Sequence, residues 1–110
     1  MIKLILQDIE TRMYCGLLPQ EKEQKNIIVF NVVLTLSEDE FVDYSDVYSM
    51  ILDMPDRRKW DTLEELAVYS AESILKEFPS VAGTIVSVEK NTPLRMDKCK
   101  SVKAVYEAGR

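Results

Sequence analysis

Ile27-Ile-Val-Phe-Asn-Val-Val-Leu-Thr-Leu36 decides how this chain folds. Side chains of a strand alternate between its two sides, so Ile28, Phe30, Val32, Leu34 and Leu36 share one face. Ile27, Val29, Asn31, Val33 and Thr35 share the other. Both faces are largely apolar, which predicts a strand covered on both sides. A sheet built on it needs helices over one face and something further over the second.

Working outward, Ile2 to Cys15 alternates apolar with polar residues and breaks near Asp8, which predicts a strand with an irregularity. Gly16-Leu17-Leu18-Pro19 turns the chain, and 20–24 is expected to form a short helical turn after the proline. Beyond the acidic turn 37–40, Val47, Ile51 and Met54 fall at helical spacing, and Pro55 is expected to end that helix. Leu63, Leu66, Ala67, Ser70, Ala71, Ile74, Leu75 and Phe78 form a longer stripe, with Asp61 as the expected cap and Pro79 as the stop. Thr84 to Lys90 and Val102 to Tyr106 close the pattern as strands around the loop Asn91 to Lys98. The order ββααββ predicts an α+β domain: a four-stranded antiparallel sheet with two helices on one face.

The chain's 110 residues suit a single domain over 1–110. A core of that size is modest, so sharing apolar surface with sister subunits is an expected source of stability. Net charge is -5, and 14 basic residues are scattered among 19 acidic ones, which argues against nucleic acid as a partner. The one basic cluster, Arg57-Arg58-Lys59, lies between acidic neighbours and is expected to be a solvated loop. The first ten residues are interrupted by charge too early for a signal peptide, and no apolar run is long enough to cross a bilayer. A soluble, cytoplasmic protein with no membrane partner is the expectation. Cys15 and Cys99 are too few for a disulfide framework and are expected to stay reduced.

Histidine is absent. This chain therefore cannot supply a Ser-His-Asp triad, a Cys-His dyad or a histidine-ligated metal site, and acid–base work falls to Asp, Glu, Lys, Tyr or Cys. Four such residues stand where apolar elements meet turns. Glu64 opens the second helix, where Asp61-Thr-Leu-Glu64 matches a capping box, the favoured reading of the residue by itself; the other is a carboxylate offered to a planar N–H-bearing heterocycle. Lys90 ends an apolar strand, a place usually held by a solvated lysine; under a covering loop it becomes a usable base. Glu21 lies in a charge-rich turn, and Tyr44 starts the first helix, where a tyrosine ring more often packs than reacts.

Together these positions resemble the dihydroneopterin aldolase family, over a span from near Ile2 to Tyr106. Cys15-Gly16-Leu17-Leu18-Pro19-Gln20-Glu21 resembles the family's turn and glutamate-rich segment, with Cys15 in place of the usual histidine. Val42-Asp43-Tyr44 resembles its apolar-acid-tyrosine step, with Tyr48 a second candidate for the tyrosine. Leu63-Glu64-Glu65-Leu66-Ala67 resembles the opening of its second helix, and Val86 to Pro93 its lysine-ended strand and proline loop. The loop after Lys90 departs from the family in reading Leu94-Arg95-Met96 without a glycine.

The resemblance implies a tunnelling fold whose subunits join sheets edge to edge into a barrel, as a tetramer or octamer. It implies active sites between neighbouring subunits, no cofactor and no metal, and a small pterin as substrate. Lys90, Tyr44 and Glu21 take the catalytic positions, and Glu64, Leu63 and Asp43 those of substrate binding. The implied reaction is retro-aldol cleavage of 7,8-dihydroneopterin in folate biosynthesis. Epimerisation of the same compound or its phosphate, and pterin binding without turnover, are the alternatives.

Overall fold

The structure is a computed structural model that describes residues 1–91, 93 and 96–110. Seven elements follow one another: β1 (Ile2–Met13), α1 (Pro19–Glu23), β2 (Asn26–Leu36), α2 (Tyr44–Arg57), α3 (Leu63–Glu77), β3 (Gly83–Asn91) and β4 (Ser101–Gly109). The four strands form one antiparallel sheet in the order β1-β2-β3-β4, with α2 against β1 and α3 against β3 and β4. The expected two-layer α+β domain is the one observed.

β2 fulfils its pattern. Ile28, Phe30, Val32, Leu34 and Leu36 are buried beneath the helices, while Val29, Asn31, Val33 and Thr35 are half-buried on the other face. Burying a side chain the size of Phe30 contributes roughly 1.5–3 kcal/mol. Asp8, at φ 56, forms the expected irregularity in β1, and its amide donates to Asn31 Oδ1 at 2.8 Å. Aspartate tolerates this left-handed conformation better than most residues. The extra residue between Leu6 and Ile9 switches which side chains face the core, so Ile9, Thr11 and Met13 are buried beyond it.

The helix ends differ from expectation in two places. Pro55 does not stop α2, which runs on to Arg57. The hydrogen bond that a proline lacks is cheap to lose when only two helical residues follow it. The cap of α3 is Thr62 rather than Asp61: Thr62 Oγ1 accepts from Glu65 N at 3.2 Å. Of the expected stripe, Leu63, Leu66, Ala67, Ser70, Ala71 and Ile74 are buried, and Leu75 and Phe78 are half-buried against the core.

β1 and β4 are the outer strands of the sheet. They carry exposed apolar side chains, Ile2 and Ile5 on one and Val102 and Val105 on the other. No helix among the described residues is long and apolar enough to cross a membrane.

Candidate active site

Alternation along β3 sends Thr84, Val86, Val88 and Lys90 to the helix-covered face, and all four are buried. Lys90 is thus no solvated strand end; it is 8% exposed. The turn after β1 and the short helix α1 cover it. Its Nζ donates to Glu21 Oε2 at 2.5 Å and to the Cys15 carbonyl at 2.6 Å. Glu21, also 8% exposed, accepts from Leu18 N at 3.3 Å through its other oxygen and so closes the start of α1. Asn26 Nδ2 donates to the same Cys15 carbonyl at 3.4 Å.

Gly16 lets the turn approach this pair. Its φ is +150°, and a Cβ there would overlap the Glu21 side chain. Burial pushes the neighbouring Cys15 thiol up to about 11; the Lys90 charge opposes that shift and Glu21 adds to it. The thiol is neutral and unsuited to act as a nucleophile near pH 7.

Glu21 also lines a cavity of about 350 Å³ with Tyr14, Lys22, Lys59, Trp60 and Asp61. Lys22 Nζ meets Asp61 Oδ1 at 2.8 Å, and that bond holds the Asp61 carboxyl below the usual range. Trp60 joins this wall to the turn over Lys90: Gly16 N donates to its carbonyl at 3.3 Å, and Cys15 pairs with it as an isolated bridge.

At the head of α3 the capping work falls to Glu65, whose Oε1 accepts from Asp61 N at 3.1 Å. Glu64 is relieved of it. Its side chain is exposed, and among the described residues no hydrogen bond or ion pair engages the carboxylate. It lies in a shallow depression with Thr62, Val68 and Tyr69, where the helix start favours a negative charge. Leu63 buries its side chain in the core and offers only main chain here.

Asp43 caps α2, accepting from Ser45 N at 2.9 Å and Ser45 Oγ at 2.6 Å; these bonds hold its carboxyl below the usual range. Tyr44 and Tyr48, 60 and 46% exposed, line a separate cavity of about 390 Å³ beside the β1 bulge. One chain therefore brings Lys90 and Glu21 together, sets Glu64 two residues beyond the Thr62 cap, and leaves both tyrosines elsewhere. Of the divergent loop Asn91–Lys98, residues Thr92, Leu94 and Arg95 lie outside the described residues.

Sequence reasoning missed the Cys15 carbonyl and Trp60. A main-chain oxygen leaves no mark on composition, whereas Trp60 is the only tryptophan of the chain. The buried position of Lys90 did have a signal, since it continues the parity of Val86 and Val88.

The fold is a two-layer α+β domain with a buried amine–carboxylate pair beside a cavity. Residues 4–107 match the family model FolB, dihydroneopterin aldolase, and the chain belongs to that family. No curated protein sequence matches it. Among solved structures it resembles Escherichia coli dihydroneopterin aldolase in complex with neopterin, with TM-score 0.89, 14% identity, and 99% of this chain and 100% of that one covered. It also resembles a dihydroneopterin aldolase from Burkholderia thailendensis bound to guanine, with TM-score 0.77, 24% identity, and 99 and 91% covered. At these identities the likeness establishes the fold.

Proposed function

We propose that this chain is a lyase that splits 7,8-dihydroneopterin into 6-hydroxymethyl-7,8-dihydropterin and glycolaldehyde. The observation that carries the reading is the buried contact of Lys90 Nζ with Glu21 at the edge of a cavity. Structural ion pairs are usually exposed, and one taken out of water next to a cavity marks a site prepared for proton transfer. Family membership supplies the substrate class. The relatives' neopterin and guanine are both flat, N–H-bearing heterocycles.

Glu64 accepts from the pterin amide N–H and amino group, a bidentate charge-assisted contact that its unengaged carboxylate is available to make. Main chain at Leu63 completes that clamp. Lys90, with a bound water, takes the proton from the side-chain hydroxyl next to the bond that breaks, and Glu21 orients the water and the amine. The C–C electron pair passes into the ring imine to give an enamine, so the substrate is its own electron sink and the reaction needs neither metal nor Schiff base. Tyr44, stacked on the pterin, protonates the enamine.

Because Tyr44 lines a different cavity from Glu21 within one chain, the proposal places it at the site of a neighbouring copy. Four chains joined through β1 and β4 form the barrel, which covers the apolar edges and the second face of β2. The predicted solution state is a tetramer or octamer, and light scattering that finds a monomer would remove the tyrosine from the mechanism.

The deciding experiment is product analysis of purified protein with 7,8-dihydroneopterin in chelator-containing buffer. Glycolaldehyde released in step with the hydroxymethyl product supports cleavage. An inverted hydroxyl without glycolaldehyde indicates the epimerase, and binding without turnover a pterin carrier.

A further inference from the structure

Arg58, in the basic run 57–59, is exposed as expected, yet its guanidinium also lies 4.6 Å from the centre of the Trp60 ring and 5.3 Å from that of Tyr69. Its Nη2 also meets Glu65 Oε2 at 3.2 Å. The other oxygen of Glu65 holds the Asp61 amide, so one guanidinium grips both sides of the short connection 58–62.

That connection links the two halves of the candidate site. At Trp60 it is bonded to the Cys15–Gly16 turn, whose carbonyl holds Lys90. The Trp60 indole is fixed from behind, Nε1 donating to Met54 O at 2.9 Å and the ring meeting Tyr69 edge-on at 5.2 Å. At its far end the connection becomes Thr62 and the start of α3, which carries Glu64. The connection thus ties the turn over Lys90 to the helix start that carries Glu64, and Arg58, together with Tyr69, ties Trp60 to that helix.

We propose that Arg58 is a positioning residue: by clamping Trp60 to α3, it holds the pterin-anchoring carboxylate of Glu64 in register with Lys90. The proposal rests on the pterin reading above. Arg58 touches neither Lys90 nor Glu21, which keep their own bonds to each other and to Cys15. Its loss accordingly weakens substrate binding and leaves the chemical step nearly intact.

The test compares Arg58→Ala, Arg58→Met and Arg58→Lys with the wild type, measuring kcat and KM for 7,8-dihydroneopterin and the emission of the single tryptophan. A half-exposed cation–π contact predicts a KM raised about fivefold in Arg58→Ala and Arg58→Met, with kcat within about twofold. Trp60 emission moves to the red in both, and Arg58→Lys restores KM and emission together. Arg58→Met keeps the aliphatic stem and gives the same reading where the alanine variant folds poorly. An unchanged KM with unchanged emission overturns the proposal, and so does a fall in kcat with KM held. If the wild type neither binds nor turns over the pterin, the functional reading fails on its own. The emission shift then still decides whether Arg58 clamps Trp60.

Discussion

Lys90 and Glu21 are closed in at 8% exposure each and bonded to one another, whereas Tyr44 and Tyr48 stand 60 and 46% exposed over an open cavity. The first region is complete within one chain. Its charges have left water and are held by a carboxylate, a carbonyl and a glycine turn. The second offers phenols that stand largely open to solvent. Stability and chemistry should therefore be coupled at Lys90 and separable at the tyrosines.

The strongest way to break this contrast is at the buried pair. Lys90→Met should lower kcat by about 10²–10⁴, the usual share of a general acid–base group. It should also cost about 3–5 kcal/mol of stability, because the Glu21 carboxylate is left buried without its partner. Adding Glu21→Gln removes that charge and should recover most of the melting temperature but none of the rate. If the double variant stays as unstable as the single one, burial of the charge is not what the pair compensates.

At the open region the expectation reverses. Tyr44→Phe should lower turnover by about 10² while stability stays within about 0.5 kcal/mol, since an exposed ring loses little on losing its hydroxyl. Tyr48→Phe, on the same cavity, should leave both unchanged. An inactive Tyr48→Phe beside an active Tyr44→Phe would move the catalytic role four residues along α2.

How far these regions were legible in the sequence follows from the kind of force that builds each. The strand 27–36, the stripe of α3 and the break at Asp8 were legible because hydrophobic periodicity is written directly in residue order. The α3 cap was misplaced by one residue because Asp61 and Thr62 are both good caps, and only backbone geometry chooses between them. That shift matters for the site, since it moves the capping role to Glu65 and frees Glu64. Arg58 is exposed, as a charge run predicts, but its contacts with the rings of Trp60 and of Tyr69, eleven residues away, were not legible, because no local rule brings those rings to it. The pairing of Lys90 with Glu21 spans 69 residues and was reached only through family resemblance, because no local rule connects them.

A smaller effect is expected at Gly16, where the two regions can be told apart by one methyl group. Gly16→Ala places a Cβ on the Glu21 side chain and asks a non-glycine residue to hold φ +150°. The cost should be about 1–3 kcal/mol, with activity lost in parallel as Glu21 is pushed off Lys90. An alanine variant with full activity would mean that Glu21 has room to move.

The last and smallest effect separates the closed region by pH. The Cys15 thiol is pushed up from 9.0 to about 11, first by burial, so the folded chain holds this proton more tightly than the unfolded chain does. A group with a raised folded value contributes stability that is intact below about pH 9. The contribution is lost as the solution rises through about pH 11, because the unfolded state releases its proton first. The loss should reach about 3 kcal/mol at most. Denaturant midpoints measured from pH 8 to 11 should fall more steeply for the wild type than for Cys15→Ala, whatever the alanine variant loses in packing at neutral pH. Equal slopes would show that water reaches the thiol, and the lid over Lys90 would then be looser than its hydrogen bonds imply.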